Sequence, residues 1–225
     1  MLGLAVSIWA VAASAHAAAL AIVMAVDVSA SVTADSYILQ RDGIAHAFED
    51  PRLIEAISGL PGGIEALVLE WSDPDSVAVT VGWTRVTDRR GAAAFAAAVH
   101  AATRSSSGLT AIGSALAAAA TQFDRLPQPA TGRVIDISGN GIANLGAPPQ
   151  EVRDRVVKAG ITINGLAIVT EQPWLDEYYR HNVVGGPGAF VLAARDFRSF
   201  AEAMRKKLAA EIAGAEAPAG TAQMQ

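Results

Sequence analysis

The chain has 225 residues, a formal net charge of −5 and 52% hydrophobic residues, enough for one substantial α/β domain. Much of that apolar content is alanine, and no basic run exceeds Arg205–Lys207, which excludes the basic face that a nucleic-acid partner requires. The absence of cysteine excludes disulfides, thiol catalysis, Cys-ligated zinc and lipid attachment through a cysteine, but it does not fix the redox compartment.

No charged side chain precedes Asp27. Residues 2–13 form an apolar core like that of a secretory signal, and "ASAHA" places small residues at −1 and −3 of a cleavage after Ala17. The expectation is a signal peptide over 1–17 and a periplasmic or secreted bacterial protein with no stable membrane span after cleavage. The first few residues lack Lys or Arg, and about 20 apolar residues can span a bilayer, so an N-terminal anchor is the alternative.

Residues 20–29 read as a strand, apolar on both faces like a central parallel strand. A helix follows over 33–48, with Thr33 as N-cap. Tyr37, Arg41, Ile44 and Phe48 share one stripe of it, so Arg41 must snorkel or pair. Strands over 64–72 and 76–84, joined by "SDPD", form an antiparallel hairpin. Helices over 88–103 and 111–126 flank the loop "RSSSGLT", and a strand and turn cover 132–141. A helix over about 148–159, a strand over 161–169, a short helix over 174–183 and a strand over 188–193 follow. Asp196 caps a last amphipathic helix to about 212, and the small, polar stretch 213–225 reads as a disordered tail. The domain therefore covers 18–212. This alternation predicts a doubly wound α/β fold: a mostly parallel sheet with one antiparallel edge strand and helices on both faces. Such sheets bind ligands beyond the carboxyl ends of their strands, where the winding reverses.

Three loops in such positions are rich in small, oxygen-bearing residues: "DVSAS" (27–31), "SGLT" (107–110) and "SGNGIANLG" (138–146). One or two carboxylates with hydroxyls suit a hard divalent cation. Alternate residues at a strand end point the same way, so Asp27, Ser29 and Ser31 can face one point. The same serines could instead simply turn the chain.

D-x-S-x-S after the first strand, Thr110 in a Gly-Leu-Thr loop before an Ala-rich helix, and a turn after the next strand together resemble the von Willebrand factor type A domain. The resemblance covers about 20–212. A bacterial family of uncharacterised exported proteins with that fold is more similar still, matching "QRDG" (40–43), "EWS" (70–72), "TAIG" (110–113) and "INGLAI" (163–168) in order. The resemblance implies a metal-ion-dependent adhesion site for Mg²⁺, or Mn²⁺ or Ca²⁺, held by Asp27, Ser29, Ser31, Thr110 and Asn140. It also implies a protein partner whose carboxylate completes the ion's coordination. The chain departs from the pattern at Asn140, where the family has an aspartate. That leaves Asp27 as the one anion and implies weaker metal affinity.

Asp136 sits mid-strand between Ile135 and Ile137, where a carboxylate needs a partner, and Asn164 is similarly placed in the next strand. The two are expected to hydrogen-bond and support the site from behind. The alternative is that Asp136 replaces the carboxylate Asn140 lacks. Trp83, Trp174, Tyr178 and Tyr179 read as packing and surface residues. Enzymatic signatures are missing: there is no G-x-S-x-G, "GNGIAN" lacks the third glycine of a dinucleotide loop, and Ser29 stands where an aspartyl phosphatase needs its second carboxylate. The chain thus reads as a non-enzymatic binding module. A metal-independent scaffold with a degenerate site is the alternative, and an unrecognised hydrolase is a third reading.

Overall fold

The apolar run before Asp27 folds as strand β1 (Ala18–Asp27), which pairs on both sides and is buried along nearly its whole length. In this computed structural model the described residues are 17–216. The expected signal peptide, apart from Ala17, and the tail beyond 216 lie outside them.

Helices α1 (Ala34–Glu49) and α2 (Pro51–Gly59) lead to β2 (Ile64–Trp71) and β3 (Val77–Val86). Then come α3 (Arg89–Ala101), α4 (Ile112–Gln122), β4 (Ala130–Gly139), α5 (Pro149–Lys158) and β5 (Thr162–Ile168). The chain closes with α6 (Leu175–Asn182), β6 (Val191–Ala194) and α7 (Phe200–Glu216). Strand order is β3-β2-β1-β4-β5-β6, with β2–β3 antiparallel and every other pair parallel. This is the expected doubly wound sheet with its antiparallel edge strand. The winding reverses between β1 and β4, so a crevice opens beyond Asp27 and Gly139.

Strand alternation divides the core. Ile22, Met24 and Val26 face Phe48, Phe95, Phe200 and Met204 of α1, α3 and α7. Ala21, Val23 and Ala25 face Leu116, Val152 and Tyr179 of α4, α5 and α6. On α4, Ala115 and Ala119 are fully buried, so its many alanines serve close packing against the sheet.

Three differences from expectation stand out. Helix α2 has no counterpart in the elements read from the sequence. Asp50 accepts the Arg52 amide at 2.8 Å and Pro51 occupies the first turn, a strong start for a helix only nine residues long. The last strand covers only Val191–Ala194, and α7 continues four residues past 212, to Glu216. Arg41 pairs, as expected, with Asp42 at 2.9 Å.

Candidate metal centre

Beyond β1 the chain turns through Asp27–Ser31, and the first contact is local: the Ser29 amide donates to Asp27 Oδ1 at 2.7 Å. Ser29 Oγ lies 3.2 Å from Ser31 Oγ, and Ser31 Oγ donates to Asn140 Oδ1 at 2.8 Å. The two loops at the winding reversal are thereby joined through side-chain oxygens. Asp27 is fully buried, and its Oδ2 has no hydrogen-bond partner among the described residues. Burial pushes its carboxyl up to about 6, against the Ser29 hydroxyl and amide, the Asn140 amide and the charge of Arg104.

The Thr110 backbone is tied to the third loop at Asn144. Its amide donates to Asn144 Oδ1 at 2.8 Å, and the Asn144 amide donates back to the Thr110 carbonyl at 3.0 Å. The Thr110 hydroxyl makes no hydrogen bond among the described residues. The loop before it is pinned on two sides: the Ala30 amide donates to the Gly108 carbonyl at 2.7 Å, and the Leu109 amide to Asp73 Oδ1 at 2.8 Å.

Several residues that matter here escape a sequence reading. Arg104 donates to the carbonyls of Val28 (2.7 Å), Ser29 (2.9 Å) and Ser106 (2.9 Å), clamping the first loop to the second. Gln40 Nε2 donates to the Asp27 carbonyl at 3.1 Å, and Glu70 accepts Tyr37 Oη (2.9 Å) and the Ser105 amide (2.7 Å). Gln40 and Glu70 belong to the "QRDG" and "EWS" stretches, the one signal that could have found them. Tyr179 packs in the core, as expected, and also borders Asp27. It is fully buried, its hydroxyl has no partner among the described residues, and burial and then Asp27 push its phenol well above its ordinary value. A Cβ placed on Gly139 would lie 2.5 Å from that hydroxyl and 2.9 Å from Asp27 Oδ2. Glycine is what lets Tyr179 and Asp27 approach each other over the end of β4.

Asp136 and Asn164 are register partners on β4 and β5, yet the hydrogen bond expected between them is not formed. Lys207 of α7 sits 2.6 Å from Asp136 Oδ1 and 2.7 Å from Glu211 Oε1, and Asn164 donates to that same Glu211 oxygen at 2.8 Å. Alternation places Asp136 on the face of Met24, under α7, whereas Asp27 follows Ala25 on the other face. The pair therefore belongs to a buried charge cluster under α7, and Asp136 is not placed to stand in for Asn140. Burial, opposed by Lys207 and reinforced by Glu211, pushes Asp136 up to about 7.

The side-chain donors that these contacts gather at the crevice are all oxygens: the Asp27 carboxylate, the Ser29 and Ser31 hydroxyls and the Asn140 amide oxygen. That composition fits a hard divalent cation better than a soft one, and the unpartnered Asp27 Oδ2 is the anionic atom it would use.

A sequence-family profile described as "Protein of unknown function (DUF1194)" matches residues 17–216. The chain belongs to this family. A search of curated proteins returns no match. Several solved structures share the fold of this DUF1194 protein. One is a von Willebrand factor type A protein from Catenulispora acidiphila (20% identity, TM-score 0.60, 85% of this chain and 42% of that one). Another is proximal thread matrix protein 1 from the mussel byssus with a zinc-occupied MIDAS motif (18%, TM-score 0.61, 87% and 46%). A third is BatB from Bacteroides thetaiotaomicron (16%, TM-score 0.56, 87% and 99%). At these identities the likeness establishes the fold alone. The DUF1194 chain spans less than half the length of the byssus and Catenulispora chains and is matched along nearly all of BatB. No helix among its described residues is long and apolar enough to cross a membrane.

Proposed function

We propose that this protein is an exported binding module whose divalent-metal site engages an acidic group of a protein partner. Asp27, Ser29, Ser31, Thr110 and Asn140 would hold Mg²⁺, or Mn²⁺ or Ca²⁺, directly or through water. Bound there, the ion supplies positive charge with exchangeable coordination positions, which a carboxylate of the partner can fill. The side chains do the rest. Asp27 supplies the charge, and the Ser29, Ser31 and Asn140 oxygens orient around it through their own hydrogen bonds. Arg104 and Gln40 keep the loop in that shape.

The observation that carries this reading is Asp27 Oδ2, a buried carboxylate oxygen with no partner among the described residues, beside a ring of hydroxyl and amide oxygens. Leaving such an atom unpaired costs about 1–3 kcal/mol or more, which an ion would offset. The zinc-occupied MIDAS of the byssus protein, on the same fold, supports the placement by analogy. Export rests on the signal-like residues 2–13 and the small residues before Ala18.

Isothermal titration of Mg²⁺ into EDTA-stripped protein tests the metal. Saturable binding that Asp27→Ala abolishes is expected. No heat at millimolar Mg²⁺, with binding restored by Asn140→Asp, would leave a metal-independent scaffold instead. A pull-down from the cell envelope with and without EDTA tests the partner, whose capture should be lost in EDTA. Mass spectrometry of the exported product tests the localisation, and an intact Met1 would overturn cleavage.

A further inference from the structure

Away from the crevice, α1 and α3 bring together a second set of ligating side chains. His46 and Glu49 lie one turn apart on α1, and His100 is in the last turn of α3. One ligand atom from each lies within 4.8 Å of the other two. His100 Nε2 is 3.7 Å from Glu49 Oε1, and the rings of His46 and His100 meet edge to face at 5.5 Å between centroids.

The other nitrogen of His100 is already engaged. Its Nδ1 is 3.2 Å from Asp42 Oδ1, a carboxylate that Arg41 holds in turn at 2.9 Å. When the Nδ1–H of His100 donates to Asp42, the lone pair of Nε2 faces Glu49 and His46. A carboxylate that fixes the tautomer of a ligating histidine is the usual support behind a metal-bound imidazole. Exposed histidines paired only as surface ions need no such arrangement.

We propose that His46, Glu49 and His100 form a zinc-binding site, with Asp42 orienting His100 and the fourth position open to water. Two imidazoles and one carboxylate suit Zn²⁺ and disfavour Mg²⁺ or Ca²⁺, which seek oxygen. Zinc bonds of 2.0–2.2 Å require ligand atoms about 3.3 Å apart. His46 and Glu49 are exposed, so rotation of their side chains can close the remaining gap without moving either helix. The site is separate from the crevice, since His46 lies twelve residues into α1, about 18 Å along its axis from Ala34.

Equilibrium dialysis of the full chain against Zn²⁺, with circular dichroism to verify folding, tests the site. The wild type is expected to bind, and Asp27→Ala to retain that binding with the crevice ligand gone. His46→Ala and His100→Ala should each weaken it at least tenfold, and Asp42→Asn by about tenfold as a positioning change. If a histidine-to-alanine variant fails to fold, His46→Gln and His100→Gln give the same readout at surface positions. Equal Zn²⁺ affinity in the wild type and a folded His46→Ala/His100→Ala double variant would overturn the proposal. So would loss of all Zn²⁺ binding in Asp27→Ala, which would put the ion in the crevice.

Discussion

Ser31 Oγ donates to Asn140 Oδ1 across 2.8 Å, so the side chain that departs from the adhesion-domain pattern already faces the ring of oxygens. Asn140→Asp keeps the shape and the acceptor and adds a charge. We expect Mg²⁺ to bind at least tenfold more tightly, equivalent to about 1.4 kcal/mol, measured by isothermal titration against the wild type. Unchanged affinity would mean that Asn140 does not face the ion.

Arg104 is the clamp between the first two loops. Arg104→Ala removes three hydrogen bonds to main-chain carbonyls, two of them to the Asp27–Ser31 loop. A loss of about 1–3 kcal/mol in urea unfolding is expected, together with weaker Mg²⁺ binding. Arg104→Lys should recover only part of either, because a single ammonium cannot reproduce the guanidinium fork.

Gly139, by lacking a side chain, lets Tyr179 and Asp27 approach each other over the end of β4. Gly139→Ala would press its methyl against the Tyr179 hydroxyl and Asp27 Oδ2, at a cost of about 1–3 kcal/mol in thermal or urea unfolding. Because the nearest atom is the hydroxyl, Gly139→Ala combined with Tyr179→Phe should regain part of that loss. A double variant no more stable than Gly139→Ala would place the strain elsewhere.

The buried cluster under α7 makes stability depend on pH. Asp136 is held protonated up to about 7, chiefly by burial, while an unfolded aspartate releases its proton near 3.8. The folded state therefore binds more protons between those values, and stability falls as pH rises through them. Asp27, pushed up to about 6, acts in the same direction over the lower part of that window. In EDTA, the urea midpoint should be lower at pH 8 than at pH 5. Asp136→Asn should flatten the decline mainly between pH 6 and 8. A midpoint that rises over this range in the wild type would contradict the assignment.

What was legible in the sequence were the local patterns. The unbroken apolar run before Asp27, the alternation of strands and helices, and the three small-residue loops each announce themselves within about ten residues. The roles of Lys207 and Tyr179 depend on distant parts of the chain. Lys206 and Lys207 are adjacent in an ordinary helical charge run, yet Lys206 is 61% exposed beside Glu202 and Lys207 is fully buried. What separates them is Asp136, seventy-one positions earlier, a distance no periodicity spans. Asp136 did announce that it needed a partner, since a mid-strand carboxylate must have one. Its neighbouring strand was the natural place to look, and the partner came instead from the last helix. Tyr179 read as packing because nothing near it in sequence reveals Asp27. Helix α2 was missed because nine residues are too few for a clear period, although its Asp-Pro start was visible.

The carbonyls of Asp27, Val28 and Ser29 are turned toward Gln40 and Arg104. A guanidinium seated on two of them repels any cation that approaches from that side. These three carbonyls are thus turned away from an ion in the crevice, whose inner sphere would then be completed by side chains, waters and the proposed partner. Calcium, with six to eight oxygens to satisfy and a habit of recruiting carbonyls, is poorly served by such a loop. Magnesium, content with six positions and reluctant to shed its waters, would be served well. If the proposed ion binds there, the arginine that fastens the loop would therefore also favour the smaller ion without touching it.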